Sequence, residues 1–273
     1  MKKKIGIIID EYHLNYKVTD FLNYLRKIAE VKLYIEEKYC LISNKDNFNE
    51  DIFFVKGKGD IILGLVKLIE EQTDIPVINS FRATWLAINR FLNSTFLRKA
   101  GIPVPDFSLN PPGTPPPFKD YIIKNIVDQG NYKFTPQIID EDESMRVADK
   151  RALDEVDGEI FQYNFLYYQK FIKSKWEYKV YGIGDNIYFY KQLPILVNPD
   201  KTKSRQKIKK IPILEEYCIK AMEVMDIKVT SIDFHKSEDD QFFLTDINCT
   251  PNFNYMKNGH KIVADYLLKQ AKI

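Results

Sequence analysis

Residues 229–251 read VTSIDFHKSEDDQFFLTDINCTP, and the fold turns on how this stretch pairs with itself. Two runs rich in β-branched and aromatic residues flank the polar turn Lys236–Gln241, the pattern of an antiparallel hairpin. Centring the hairpin on that turn sets Asp233 opposite Asp246. Asn248, two residues further on, points to the same face as Asp246. Two opposed carboxylates repel, and in so apolar a hairpin they also lose hydration, so a cation between them is the natural reason for the pair. Two carboxylates and an amide oxygen form a hard-oxygen set, suited to Mg²⁺ rather than Zn²⁺. The plain alternative is an edge hairpin with both aspartates in water. A slip of one residue would remove the geometry altogether.

Working outward toward the N-terminus, strand-like and helix-like runs alternate. Lys4–Ile9, Val31–Ile35, Asp51–Val55 and Ile75–Ile78 have the apolar character of buried strands, while Val18–Ala29 and Ile61–Glu70 carry helical spacing. That alternation predicts a parallel βαβ domain over about residues 1–80. Residues 82–100 predict one helix, stopped by Gly101 and Pro103. The run Pro111–Pro117 predicts a stiff exposed linker. After it come antiparallel-type strands at Tyr121–Lys124, Ile160–Ile172, Tyr178–Gly184 and Ile187–Gln192. A short helix follows the acidic stretch Asp140–Glu143, an amphipathic helix spans residues 213–225, and a last helix runs over about 260–271. The fold class is therefore α/β (α+β).

The hairpin segment resembles the metal-binding segment of ATP-grasp enzymes, in which an acid on one strand is followed by D/E-x-N-x-x-P-G on the next, although Asn252 stands here in place of the last Gly. Here Asp233 is followed by Asp246, Asn248 and Pro251. The likeness extends over about residues 80–260. It implies an ATP-grasp fold, with a central subdomain over about 81–170 and a C-terminal one over about 171–273 clasping ATP. It makes Asp233, Asp246 and Asn248 the Mg²⁺ ligands. Arg90 and Lys124 stand where the family has its two phosphate-binding cations, Gly130 lies in the phosphate loop, and Gln169, Lys170, Phe171 and Ile172 match the adenine-binding hinge. Within the superfamily the segments around Lys124 and Gly130, Gln169–Gly184 and Asp246–Pro251 are most similar to the inositol tris- and tetrakisphosphate kinases. RimK-like ligases come next, with an Arg where Lys179 stands. The resemblance implies a Mg-ATP-dependent kinase acting on a hydroxyl of an inositol phosphate or similar polyanion. The alternative is a carboxylate–amine ligase acting through an acyl-phosphate, and a third reading is a nucleotide-binding module without an acceptor. Catalytic roles would fall to Lys179, Arg90 and Lys124, and acceptor contacts to Lys179, Lys191, Arg205 and Asn252.

The remaining residues bound these readings. A lysine ending the apolar strand Tyr121–Lys124 is held rigidly enough to meet phosphate oxygens. Lys179 sits mid-strand with Glu177 on its own face, so an ion pair is the plain reading and a substrate phosphate the sharp one. Six cations within Lys201–Lys210 make either a solvated loop or a lid over a polyanion. Gly57-Lys58-Gly59 and Gly182-x-Gly184 are fragments of no complete phosphate fingerprint. A net charge of +2 supplies no global field for nucleic acid. His13, His235 and His260 show no ligand spacing, and three scattered cysteines suit a reducing compartment. No apolar run reaches the ~18 residues of a membrane span. The expectation is a cytoplasmic enzyme with a small polyanionic substrate and an oligomeric state left open.

Overall fold

The computed structural model describes residues 2–39, 48–111, 113–128, 137–138, 145–147, 165–194 and 201–271. Gly130 and the stretch Asp140–Glu143 lie outside the described residues; of the helix expected after that stretch only Met145–Val147 is described, and it is a strand. The first sheet is parallel, with strand order β2 (Glu30–Ile35), β1 (Lys4–Ile9), β3 (Ile52–Lys56) and β4 (Val77–Ile78). The strand β1 is buried along five consecutive residues, as its unbroken apolar run requires when both faces of a sheet are covered. One helix, α1 (Glu11–Tyr16), has no counterpart in the periodicity; six residues are too few to show a helical stripe. Next come α2 (Thr19–Ile28) and α3 (Asp60–Gln72).

The helix expected over 82–100 is broken in two, α4 (Phe81–Ile88) and α5 (Arg90–Lys99). Asn89 is the cause. Its backbone is extended and its side-chain oxygen accepts from Leu92 N at 3.0 Å, which caps the second helix. The break frees Ile88 O and Arg90 N to bond Asp128 N and Ile126 O, each at 2.8 Å. Residues 126–128 are thereby stitched to the helix junction.

A second, mixed sheet has the order β5 (Phe107–Asn110), β9 (Leu166–Lys170), β6 (Tyr121–Lys124), β8 (Met145–Val147) and β7 (Gln137–Ile138). The proline-rich run thus connects two strands of one sheet rather than two bodies. The third sheet is antiparallel throughout: β12 (Gln206–Lys207), β11 (Asn186–Gln192), β10 (Glu177–Ile183), β13 (Val229–Lys236) and β14 (Phe242–Asn248). One face of this sheet is apolar, carrying Val180, Ile232 and Phe234 against α6 (Pro212–Met225). The other face divides. Tyr181, Ile183, Tyr190 and Val229 join the core of the first sheet and of the closing helix α7 (Gly259–Gln270), and beside them the face turns polar. Asn79, just past β4, locks this junction with all four hydrogen bonds an amide side chain makes here. It donates to Val229 O and Cys249 O and accepts from Lys228 N and Val229 N. Among the described residues no helix is long and apolar enough to cross a membrane.

Candidate functional site

The polar half-face of the third sheet is a row across three strands. Lys179 on β10 pairs with Asp233 on β13, and Asp233 with Asp246 on β14. The hairpin register is the one that the turn predicts, with a register shift just beyond, between Asp233 and Phe234. Asn248 lies opposite Ser231 on the same face. Lys179 forms its ion pair with Asp233 rather than with Glu177 of its own strand. Burial disfavours that ammonium, but the Asp233 carboxylate more than offsets it and the pKa of Lys179 rises. Asp246 has neither a hydrogen bond nor an ion pair among the described residues. Asn248 Oδ1 accepts from Thr250 N at 2.9 Å and Thr250 Oγ1 at 3.2 Å, a local turn that fixes where its amide points.

Facing this row are two further cations. Lys124, at the end of β6, donates to Gln169 Oε1 at 2.8 Å and to Thr245 O at 3.2 Å. Burial pulls its pKa down to about 8 against the attraction of Asp246. Arg90, in the first turn of α5, donates to Asn125 O at 2.8 Å and pairs with Asp128 at 3.3 Å, while its buried Nε has no partner among the described residues. Together with Ser94, Tyr167, Thr245 and Asp246 these two cations line one cleft. A cleft that sets the Asp246 carboxylate against two largely buried cations matches a metal–polyphosphate in charge.

Two participants were not visible as such in the sequence. Lys58, from the Gly-Lys-Gly after β3, is nearly buried and meets Asp128 Oδ2 at 2.5 Å, so Asp128 is clamped between Lys58 and Arg90. Burial alone would raise the Asp128 pKa, yet the two cations hold it well below the usual carboxylate range. The signal for Lys58 was its glycine-flanked place at the carboxyl end of a parallel strand. Asp128 had none, since its partners lie 70 and 38 positions away (128 − 58 and 128 − 90).

The structure disperses the rest of the expected set. Gln169 lies beside Lys124. In the hinge, Lys170 N and Phe171 N donate to Asp106 O and Asp120 O, and Ile172 O meets His235 Nδ1, so these backbone groups already have partners. Lys191 Nζ sits 4.4 Å over the Trp176 ring. Arg205 donates to Gln192 Oε1 at 2.6 Å and Tyr181 Oη at 3.3 Å, and stacks on Tyr255. Asn252 caps the turn that follows it by accepting from Asn254 N. The basic run is not a plain loop: it holds a short 3₁₀ turn, Lys201–Ser204, and the edge strand β12. Among the described residues no three His, Cys, Asp or Glu side chains gather as a metal site, so any metal here rests on two carboxylates and an amide.

No protein-family model and no curated protein sequence matches the chain. Solved structures do. The ATP-grasp ligase PsnB, complexed with precursor peptide PsnA2 and AMPPNP, superposes with a TM-score of 0.68 at 14% identity, covering 100% of this chain and 98% of its own. A RimK domain protein ATP-grasp from Sphaerobacter thermophilus gives a TM-score of 0.66 at 14% identity over 96% of this chain and 99% of its own. The macrocyclase MdnC from Microcystis aeruginosa, bound with precursor peptide MdnA, gives 0.64 at 12% identity over 97% and 99%.

Proposed function

We propose, from the ATP-grasp fold that this chain has, that it is an ATP-dependent ligase: it activates a carboxyl group as an acyl-phosphate and passes the acyl group to a nucleophile. The observation that carries the reading is the cleft in which Asp246, paired across the hairpin with Asp233, lies with Lys124 and Arg90. In this reading Arg90 and Lys124 bind the triphosphate, and Asp233, Asp246 and Asn248 hold Mg²⁺, which when bound neutralises phosphate charge. The donor set fits: hard oxygens only, with the lysine ammonium of Lys179 already standing as a cation on Asp233. Lys179 is placed to exchange that partner for the transferred phosphoryl group. Catalysis is then chiefly positional and electrostatic.

Two observations favour the ligase over a polyanion kinase. The similar solved structures named above are ligases and related ATP-grasp proteins, two of them holding peptides. Lys191 and Arg205, two cations that a polyphosphorylated acceptor would need, are engaged by Trp176 and the Gln192–Tyr181–Tyr255 set. A ligase has no need of such a surplus, because its carboxyl brings a single charge. We take that carboxyl to be a peptide side chain, as in the peptide-bound neighbours. The test is hydroxylamine trapping: ATP, Mg²⁺ and a pool of aspartate- and glutamate-containing peptides should yield ADP and peptide hydroxamate. ADP release with inositol polyphosphates but no hydroxamate from any peptide would reverse the assignment.

A further inference from the structure

Outside the cleft just described, one pair of side chains has the geometry of proton-transfer chemistry. The carboxyl end of β1 runs into Asp10 and then α1, at the point where the chain order of the first sheet reverses between β1 and β3. In open parallel sheets that crevice is where ligands bind. His13 Nδ1 lies 2.7 and 2.9 Å from the two Asp10 oxygens, and the same carboxylate accepts from His13 N at 2.7 Å. A carboxylate only accepts, so the ring proton belongs on Nδ1 and Nε2 carries the lone pair. Asp10 is 2% exposed and His13 7%, and Nε2 takes no hydrogen bond among the described residues.

Gly57 and Lys58 link the dyad to the proposed reaction cleft. A Cβ on Gly57 would lie 3.0 Å from Asp10 Oδ2, and the next residue is Lys58, which reaches Asp128 beside Arg90. From the other side, Lys56 donates to Thr250 O and Pro251 O just beyond Asn248, and Asn254 Nδ2 donates to Lys17 O at the end of α1. The segment that follows the hairpin is therefore bonded both to β3 and to the end of α1.

We infer that His13 is the general base of the condensation step, with Asp10 as its positioning residue. The inference rests on the ligase reading. The nucleophile, an amine or a hydroxyl, attacks the acyl-phosphate carbonyl carbon. A C–N or C–O bond forms, the carbon–oxygen bond to phosphate breaks, inorganic phosphate departs with the electron pair, and the nucleophile's proton passes to His13 Nε2. Asp10 stabilises the resulting imidazolium. Burial, with Lys56 and Lys58 nearby, keeps the imidazole pKa below 6.5 although Asp10 works the other way, and the edge of Tyr12 completes the surroundings. At neutral pH the ring is thus free to accept a proton.

The test separates the two half-reactions in the full-length protein. With an acidic peptide pool, Mg-ATP and hydroxylamine, which needs no base, His13→Gln should form hydroxamate within about twofold of the parent. With a lysine-containing peptide as nucleophile, condensation should fall at least tenfold, and Asp10→Asn should fall in the same way. Unchanged condensation in His13→Gln, or an equal loss of both half-reactions, overturns the assignment. No hydroxamate from the parent protein would sink the ligase reading and this inference with it, a result distinct from the other two. Independently of activity, ¹⁵N-histidine NMR should show His13 at pH 7 as the neutral Nδ1–H tautomer. An imidazolium or an Nε2–H tautomer would also overturn it.

Discussion

Asp246 is the side chain on which the account of the site leans hardest, because its carboxylate has no protein partner among the described residues and faces two cations in the cleft. Removing it takes away no native hydrogen bond and relieves its opposition to Asp233. Asp246→Ala should therefore abolish ATP turnover with the melting temperature held or slightly raised; a variant that turns ATP over at the parent rate would remove Asp246 from the chemistry. For the phosphate cations, Arg90→Ala and Lys124→Ala should each weaken Mg-ATP binding by about 1.5–3 kcal/mol, the range for charged hydrogen bonds. Calorimetry decides, and parental affinity in either variant removes that residue from the assignment. Lys124 adds a pH dependence. Its pKa near 8 means that the ammonium is progressively lost above pH 8. ATP, which favours the charged form, should bind more weakly there and take up a proton on binding, visible as buffer-dependent heats of binding. At this scale the sequence was partly legible. The opposed aspartates could be read because a strand repeats every two residues and the turn was unmistakable. The Lys179–Asp233 and Lys58–Asp128 pairs could not, because they depend on which strands end up adjacent and no local pattern states that.

At the scale of elements, β3 carries an anomaly in Lys56, a fully buried lysine in an otherwise apolar strand. Its nitrogen bonds the carbonyls of Thr250 and Pro251 and lies 4.8 Å from the centre of the Phe253 ring, which pins the segment following the hairpin to the first sheet. Burial drops its pKa to about 7, and a neutral amine still has the hydrogens for both bonds. Between pH 7 and about 10.5 the unfolded chain binds the proton that the folded one has released. Stability from this group therefore rises with pH across that window and is lost as pH falls through it. Lys56→Met should flatten that slope in denaturant titrations at pH 7 to 10; an unchanged slope would mean that the buried amine is not what titrates. Asn89 offers a second check. Asn89→Ala removes the cap of α5, at a cost of about 1 kcal/mol, and should weaken ATP binding as well, because the cap holds Arg90 against residues 125–128. Loss of stability without loss of affinity would uncouple the break from the site. Helix composition alone did not reveal the break, since Ile88 and Phe91 continue the apolar spacing across it.

For the whole molecule, most of the first and third sheets and several of the helices follow from patterns the chain displays openly: unbroken apolar runs for the parallel sheet and β-branched and aromatic runs for the antiparallel one. What the chain did not display is how its faces meet. The acidic row of the third sheet, the cations of β6 and α5 and the carboxyl edge of the first sheet converge only after folding, through contacts such as those of Asn79 and Lys58. For the same reason the resemblance pointed to a kinase acceptor, while the assembled cleft, with its acceptor-side cations already engaged, suits the activation of a carboxylate. Oxygen transfer tests that claim most directly. Peptides labelled with ¹⁸O in their side-chain carboxylates are incubated with the protein, Mg-ATP and an amine, and the released inorganic phosphate is examined by mass spectrometry. An acyl-phosphate path delivers one labelled oxygen to each phosphate as product forms. Unlabelled phosphate accompanying genuine condensation, or phosphoryl transfer to an inositol phosphate hydroxyl with no labelled phosphate from any peptide, would contradict it.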